Sequence, residues 1–367
     1  MPPRAGPFRC AKFAPPSVPA SSTRSVATCA PCPASAPPRP PCRSTSTTTA
    51  TSSTCPSPRP HPNHRSEESP TMALFKKNEV PEIVESDEAR AHREHLTRSF
   101  TIEVIPMKSL ANAREHLPAG APLSVTASPV KGLEETQRLT EEFQAAGFEP
   151  VPHISARMVR DRAHCAELAH WLRDNGLKKM FLVGGDQDPP GEYFDAVLFL
   201  KDFLEQDHGL EGLGVTSYPD HHAFISDEKL HEALHAKQTL LAEAGLPGWC
   251  STQMCFDAEV IEAWLRKERA EGLTLPVHLG VSGVVDKAKL MTMGVRIGLG
   301  ASLGYLKKNR AAITKMLTST SYDPNDLMMP LSNAALELGI EGVHMYTFNQ
   351  IEATEQWRAE ALAELAG

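Results

Sequence analysis

Short apolar runs of strand length alternate along the chain with longer segments whose apolar residues recur every three or four positions. Between residues 229 and 244, for example, leucines at 230, 234, 240 and 241 would form one face of a helix. Eight strands with intervening helices predict an α/β protein with a single (β/α)8 TIM barrel rather than a six-stranded open sheet. The predicted strands are Ser99–Ile105, Pro122–Ala127, Glu149–Ile154, Lys179–Val183, Gly212–Thr216, Trp249–Met254, Pro276–Val281 and Gly342–Phe348.

The helical pattern fills most of the segments between these strands. The stretch Asp286–Asp326 is longer than one crossover helix requires, so we expect two or three helices there. The segment Ile351–Ala366 would complete the outer ring of helices. The remaining predicted helices are Leu133–Ala146, Ala163–Asn175, Tyr193–Gln206, Lys229–Ala244 and Ala258–Ala270.

Residues 1–71 differ in composition from the rest of the chain. They hold 17 of the 31 prolines and five of the eight cysteines, with long Ser/Thr runs. Such a segment cannot bury enough apolar surface to offset its ordering entropy, so we expect a disordered leader over 1–71 and the barrel over 72–367. The acid-poor, Arg/Ser-rich composition is typical of a transit peptide, although the prolines disfavour its amphipathic helix. The alternative is a start of translation at Met72.

Charge and cysteine content exclude several classes of partner. Residues 72–367 carry 29 Lys+Arg against 43 Asp+Glu, a net charge of −14, which disfavours nucleic acid and anionic membranes. No apolar run is long enough to span a membrane. Cys165, Cys250 and Cys255 lack metal-ligand spacing, so we expect no disulfide framework and a cytoplasmic location. The oligomeric state stays open, with a homo-oligomer as one alternative.

Polar and aromatic residues gather at the carboxyl ends of the predicted strands, where TIM barrels carry their active sites. Glu103 lies within an apolar strand, and alternation places it opposite Ile102 and Val104. Both faces of a barrel strand are covered, so this carboxylate needs either a partner or a chemical role. Asp186 follows two glycines at another strand end, where Asp188 is a competing candidate and an Asx-capped turn is the structural alternative.

Three histidines, His153, His221 and His222, follow or end predicted strands and are candidate metal ligands. A metal site requires three or four ligands with supporting hydrogen bonds, so metal-dependent hydrolysis is an alternative. We predict no metal site and instead expect His153 and His222 to contact a cofactor. Gln253, beside Thr252, and Tyr346 offer neutral hydrogen-bonding groups that suit a planar heterocycle such as a pterin or flavin.

Together these pieces resemble the methylenetetrahydrofolate reductases over about residues 100–361. The pieces that carry the resemblance, in chain order, are Glu103, Ser124-Val125-Thr126, Pro152-His153, Gly185-Asp186, Tyr218-Pro219-x-x-His222, Thr252-Gln253-x-x-Phe256-Asp257 and His344-x-Tyr346-Thr347-x-Asn349. The resemblance implies a TIM barrel that holds FAD and passes hydride from NADH or NADPH to 5,10-methylenetetrahydrofolate, giving 5-methyltetrahydrofolate.

The resemblance also implies individual roles. Glu103 would be the general acid that opens the folate ring, and Asp186 would stabilise positive charge near flavin and pterin. Gln253 and Tyr346 would contact the folate. The implied flavin contacts are Thr126, His153, Gly185, Asp186, Tyr218 and His222.

The sequence departs from that family on the flavin side. Leucines occupy positions in Lys237–Glu243 where basic residues would meet the flavin pyrophosphate, and Gln350 replaces a usual arginine. Two alternatives therefore stand beside an FAD-dependent reductase. One is a flavin-free reductase in which NAD(P)H reduces the folate directly. The other is a folate-binding or methyl-transfer partner without redox chemistry.

Overall fold

The computed structural model describes residues 84–296 and 321–366. Within them, eight parallel strands pair in chain order and the last pairs with the first, so the sheet is a closed barrel. The predicted (β/α)8 fold is confirmed. The strands are β1 (Thr101–Val104), β2 (Leu123–Val125), β3 (Pro150–Ser155), β4 (Lys179–Val183), β5 (Gly212–Ser217), β6 (Gly248–Thr252), β7 (Val277–Ser282) and β8 (Ile340–Tyr346).

Helices surround the barrel, and several begin at an aspartate that caps the first turn. Asp161, Asp195 and Asp257 each accept hydrogen bonds from backbone N–H groups of the helix that follows. The helices are α1 (Asp87–Arg98), α2 (Leu110–Ala113), α3 (Leu133–Ala145), α4 (Arg162–Asp174), α5 (Ala196–Phe203), α6 (Asp227–Glu243), α7 (Ala258–Ala270), α8 (Lys287–Arg296), α9 (Asn325–Leu338) and α10 (Ile351–Ala366).

The strand pattern explains why the barrel closes. In β1, Ile102 and Val104 are fully buried on the outer face, where the helices cover the sheet. Glu103 alternates with them and lies on the inner face. The same alternation holds around the barrel, so branched and other apolar side chains form the layer between strands and helices.

The interior of the barrel is aromatic and polar rather than aliphatic. The Phe181 ring centroid lies 6.4 Å from that of Trp249 and 5.8 Å from that of His344. Gly214 faces inward between these rings, and a Cβ there would overlap both Phe181 and Trp249. Gly342 leaves room for His278 in the same way, since a Cβ would lie 2.7 Å from the His278 ring. The lack of a Cβ at Gly214 and Gly342 therefore leaves the volume that the aromatic and imidazole rings occupy.

Some segments differ from the sequence expectations. Helix α1 has no counterpart among the predicted helices, and it packs against α9 and α10. Of the predicted long segment Asp286–Asp326, the structure shows α8 and only the first two residues of α9, and residues 297–320 lie outside the described residues. The predicted leader, residues 1–71, also lies outside them. Of the described helices, none combines the length and apolarity that crossing a membrane requires.

Candidate functional site

A buried Glu–His pair occupies the inner face of the barrel near its carboxyl end. Glu103 is 6% exposed, and one of its carboxylate oxygens lies 3.0 Å from His344 Nε2. β1 and β8 are adjacent in the barrel, and the register pairs Glu103 with Tyr346, the last residue of β8. Barrel closure thus joins residues 241 positions apart into one hydrogen-bonded pair. The expectation that Glu103 needs a partner is met by His344.

A second histidine lies beside this pair. His153 Nε2 is 2.5 Å from Ser124 Oγ, and the rings of His153 and His344 are 5.8 Å apart. Burial, and secondarily the charge of His344, hold the pKa of His153 well below its usual value. His153 is therefore a neutral imidazole at physiological pH, and it lies inside the barrel rather than at its rim.

A tyrosine lies beside the pair, since Tyr346 is in register with Glu103 and its ring is 5.0 Å from that of His344. The Tyr346 hydroxyl donates to the Thr252 carbonyl oxygen at 3.1 Å. Burial, and then the neighbouring charges of Glu103 and Tyr218, raise the pKa of Tyr346 well above its usual value. The phenol is therefore a stable hydrogen-bond donor next to the Glu103 carboxylate.

Tyr218, the residue after β5, lies near both Tyr346 and Asp186, and Asp186 is in the loop after β4. Burial raises the pKa of Tyr218, and the nearby Asp186 carboxylate adds to the effect. Asp186 is itself exposed at the rim. Asp188, the competing candidate, is also exposed and lies 3.7 Å from Arg157. The structure thus brings four ionisable side chains close enough for each to interact electrostatically with a neighbour: Glu103, Tyr346, Tyr218 and Asp186.

Gly185 shapes the rim between these residues. Its φ of +86° is one that side chains rarely adopt, and an added Cβ would overlap Ser155 Oγ. Only glycine fits this position, so the loop that carries Asp186 lies close against the end of β3.

The uncharged candidate residues, Thr126 and Gln253, directly follow β2 and β6. The Gln253 side-chain oxygen accepts from the Met254 N–H at 2.8 Å, which orients the amide. Gln253 is half-buried, at the end of β6. The hydroxyl of Thr126 is buried and has no hydrogen-bond partner among the described residues. An unpaired buried hydroxyl is costly, so this group is a candidate for contact with a ligand.

The two histidines that follow β5 do not join the interior cluster. The His222 ring packs edge-on against Tyr218, with centroids 5.3 Å apart, so it lies at the rim. His221 is exposed, and its Nδ1 pairs with Asp227 at 2.8 Å. That pairing raises the pKa of His221. The alternative that His153, His221 and His222 together ligate a metal does not fit these positions, because His153 lies inside the barrel and His221 pairs with Asp227.

A different trio could hold a metal ion. One ligand atom from each of Glu103, His153 and His344 lies within 4.8 Å of the other two. All three side chains are buried, and His153 Nε2 is hydrogen-bonded to Ser124 Oγ. A carboxylate with two imidazoles is a ligand set that suits zinc and related ions. This trio was not predicted as a metal site.

A cavity of about 330 Å³ lies on the same face of the barrel, between the loops that follow β2, β3 and β4. Arg157, Arg160 and His164 contribute its positive and hydrogen-bonding groups. Arg157 donates to the carbonyl oxygens of Gln187 and Phe194, which fixes its guanidinium in the wall. Glu134 also lines the cavity and Arg160 pairs with Glu167 at 3.4 Å, so the cavity presents a fixed arginine together with carboxylates beside the mouth.

Two residues of the interior site, His344 and Ser124, were absent from the predicted site residues. Both appeared in the sequence only as neighbours within motifs. The available signal was alternation, because His344 precedes Tyr346 by two positions and so shares its face.

No protein-family model matches the chain. An uncharacterized protein from Clostridium thermocellum that binds two copies of 5-methyl-5,6,7,8-tetrahydrofolic acid is 13% identical, with a TM-score of 0.47, over 73% of this chain and 94% of that chain. A putative phosphonomutase from Burkholderia cenocepacia is 12% identical, with a TM-score of 0.38, over 76% and 99%. Dihydropteroate synthase from Thermus thermophilus is 18% identical, with a TM-score of 0.37, over 74% and 95%.

The identification of the chain as a methylenetetrahydrofolate reductase is wrong. The structures that it resembles belong to other groups of proteins, and no family model supports the assignment. The physical reason is that the motifs behind it are pieces of one to six residues within or after strands. Turns, caps and polar rims produce such pieces in many barrels.

Proposed function

We propose that the barrel mouth binds a reduced folate with its pterin ring over Glu103, and that Glu103 exchanges a proton with the bound ring. The observation that carries the proposal is the buried Glu103–His344 pair, at 3.0 Å, directly beneath the mouth. A buried carboxylate can accept two parallel hydrogen bonds from the amidine-like edge of a pterin. Such a carboxylate within reach of the ring is also a candidate general acid or base.

The rest of the mouth supports a neutral, flat ring. Tyr346 and Tyr218 offer aromatic faces and hydroxyl groups, and Gln253 offers an oriented amide. Aromatic walls with a few fixed polar groups are typical of small-molecule sites. The glutamate tail of a folate is anionic, and the cavity with Arg157 and Arg160 would accept it.

The proposed cofactors, FAD and NADH or NADPH, are a separate part of the proposal. Tyr218, His222 and Gly185 lie at the rim, where a flavin would contact them. The segment expected to meet its pyrophosphate offers little charge, because Leu241 is buried and Lys237 donates to the Thr216 carbonyl oxygen at 3.0 Å. Absorbance at about 450 nm that stays with the protein after free FAD has been removed by gel filtration tests flavin binding, and oxidation of NAD(P)H with folate present tests reduction.

The folate proposal is tested by calorimetric titration of the full chain with 5-methyltetrahydrofolate, the ligand bound by the Clostridium thermocellum protein. Glu103→Gln should weaken binding by about 10- to 100-fold, because a hydrogen bond to a charged group is lost. Glu341→Gln, an exposed change elsewhere on β8, is the matched control and should leave binding unchanged. Absence of binding to the wild-type chain at about millimolar ligand, or equal affinity of the Glu103 variant, would contradict the proposal.

A second candidate function is metal-dependent chemistry at Glu103, His153 and His344, favoured by their mutual distances within 4.8 Å. A metal there would activate a water molecule in the mouth. Loss of folate binding on chelation, restored by zinc, would favour this alternative. Folate binding that chelators leave unchanged would favour the metal-free site.

A further inference from the structure

A second cluster of histidine and carboxylate side chains lies outside the barrel, between α6 and α7. His231 and His235 are one helical turn apart on α6. His231 Nδ1 lies 2.8 Å and His235 Nε2 lies 2.9 Å from the same carboxylate oxygen of Glu268 on α7. One ligand atom from each residue is within 4.8 Å of the other two.

The burial of Glu268 makes this arrangement unusual. Its side chain is only 4% exposed, yet among the described residues no lysine or arginine forms an ion pair with it. A buried carboxylate requires compensation by a cation or by several donors. Both histidine nitrogens converge on one oxygen atom. Three potential ligand atoms are therefore already close together, and a bound metal ion would replace the two hydrogen bonds with coordination bonds.

The local sequence supports the same conclusion. Residues 231–235 read His-Glu-Ala-Leu-His, in which the histidines are four positions apart on a helix. This spacing places two imidazoles on one helix face and is the ligand arrangement of helical zinc sites, where a third ligand comes from another element. Here Glu268 of the neighbouring helix occupies the third position.

We propose that His231, His235 and Glu268 bind a zinc ion on the outer layer of the barrel. Two nitrogens and one carboxylate oxygen suit zinc better than magnesium or calcium, which prefer oxygen ligands. Tetrahedral zinc with bonds of about 2.1 Å holds its ligand atoms about 3.4 Å apart, so small side-chain rotations would open the present cluster around the ion.

The fourth position and the entry path are also present. Glu271 Oε2 lies 3.4 Å from His231 Nδ1, and the side chains of His231 and His235 are 30% and 21% exposed. Zinc could enter from that side and complete its coordination with Glu271 or a water molecule. The site is separate from the barrel mouth, so it does not depend on folate binding.

The test is a titration of the full chain with Zn²⁺ after removal of metal by a chelator. We expect wild-type protein to bind one more equivalent than His235→Gln or Glu268→Gln, whose affinity at this site should fall by more than about 100-fold. The matched control is His170→Gln, an exposed histidine on α4, which should bind as the wild type does. Zinc held by cysteines in residues 1–71 would appear equally in every variant and would cancel from the comparison.

Two further readouts keep the proposal falsifiable if a variant fails to fold. Zn²⁺ should raise the thermal unfolding temperature of the wild-type chain, because a ligand that binds only the folded state stabilises it. Co²⁺ should give the intense visible absorption of a four-coordinate site without thiolate bands. Equal stoichiometry and affinity in wild type and His235→Gln, or no stabilisation of the wild type by zinc, would overturn the proposal.

Discussion

Lys237 is a buried cation whose removal should stabilise the protein at neutral pH. The residue is 4% exposed, and burial lowers its pKa from 10.5 to about 8. The folded pKa lies below the unfolded one, so the penalty is complete below pH 8 and is relieved as pH rises from 8 to 10.5. The gap between the two values corresponds to about 3 kcal/mol.

The replacement Lys237→Met keeps the length of the side chain and removes the charge. It also removes the hydrogen bond from Lys237 Nζ to the Thr216 carbonyl oxygen at 3.0 Å, which costs about 1–2 kcal/mol. At pH 7 the variant should therefore be more stable than wild type by about 1–2 kcal/mol. Near pH 10 less than about 1 kcal/mol of the charge penalty remains, and the variant should be less stable than wild type by up to about 1 kcal/mol.

The measurement is the free energy of unfolding in urea at pH 7, 8, 9 and 10 for both proteins. The Cys250 thiol, whose pKa burial raises to about 11, titrates in an overlapping range and interacts with the Lys237 charge, so both proteins should also carry Cys250→Ala. The difference between the chains therefore isolates Lys237. Lys229→Met, an exposed change on the same helix, should give a small difference that does not vary with pH. If the Lys237 variant is less stable than wild type at pH 7, by an amount that stays constant up to pH 10, then Lys237 does not carry a buried charge that destabilises the fold.

Three further changes test the barrel interior. Gly214→Ala should lower the free energy of unfolding by about 1–3 kcal/mol in urea, because the new Cβ overlaps Phe181 and Trp249, whereas Gly184→Ala, with open space around its Cβ, should not. Burial lowers the pKa of His278 from 6.5 to about 4, so its folded form stays neutral while the unfolded form gains a proton. The free energy of unfolding in urea should consequently fall by about 3 kcal/mol between pH 6.5 and 4. In the His278→Asn variant this fall should be smaller, and an unchanged pH dependence would contradict the prediction. Tyr346→Phe should weaken folate binding by less than about 10-fold in calorimetry, since the ring is kept and one hydrogen bond is lost, and a larger loss would assign the hydroxyl a direct contact.

Periodicity predicted the barrel because each strand carries its own signal. Ile102 and Val104 flank Glu103, so alternation alone placed that carboxylate on the opposite face. Helix α1 was missed because it is polar and buries few apolar side chains, with Ala89 and Leu96 the apolar ones. Its stability depends on packing against α9 and α10, which local sequence does not report.

The candidate site was predictable only in part, since its contacts join distant strands. The partner of Glu103 is His344, and the closure of β8 onto β1 determines that pairing. Glu268 likewise reaches His235 across 33 positions of sequence, so only the spacing of the two α6 histidines was visible beforehand. Short motifs at strand ends indicated where a ligand would bind, but they were too small to identify a family.

The ring-filled interior has a consequence for isotope exchange. Phe181 and Trp249 pack across the barrel on the amino-terminal side of Glu103, so they separate its carboxylate from the solvent at that end. A ligand seated over the mouth would close the remaining side. On the proposal that Glu103 exchanges a proton with a bound folate, a deuteron on that carboxyl group would pass to the ligand or to His344 before it reached bulk water. The fraction of label that reaches the ligand in undeuterated solvent would therefore record how tightly the ligand seals the compartment.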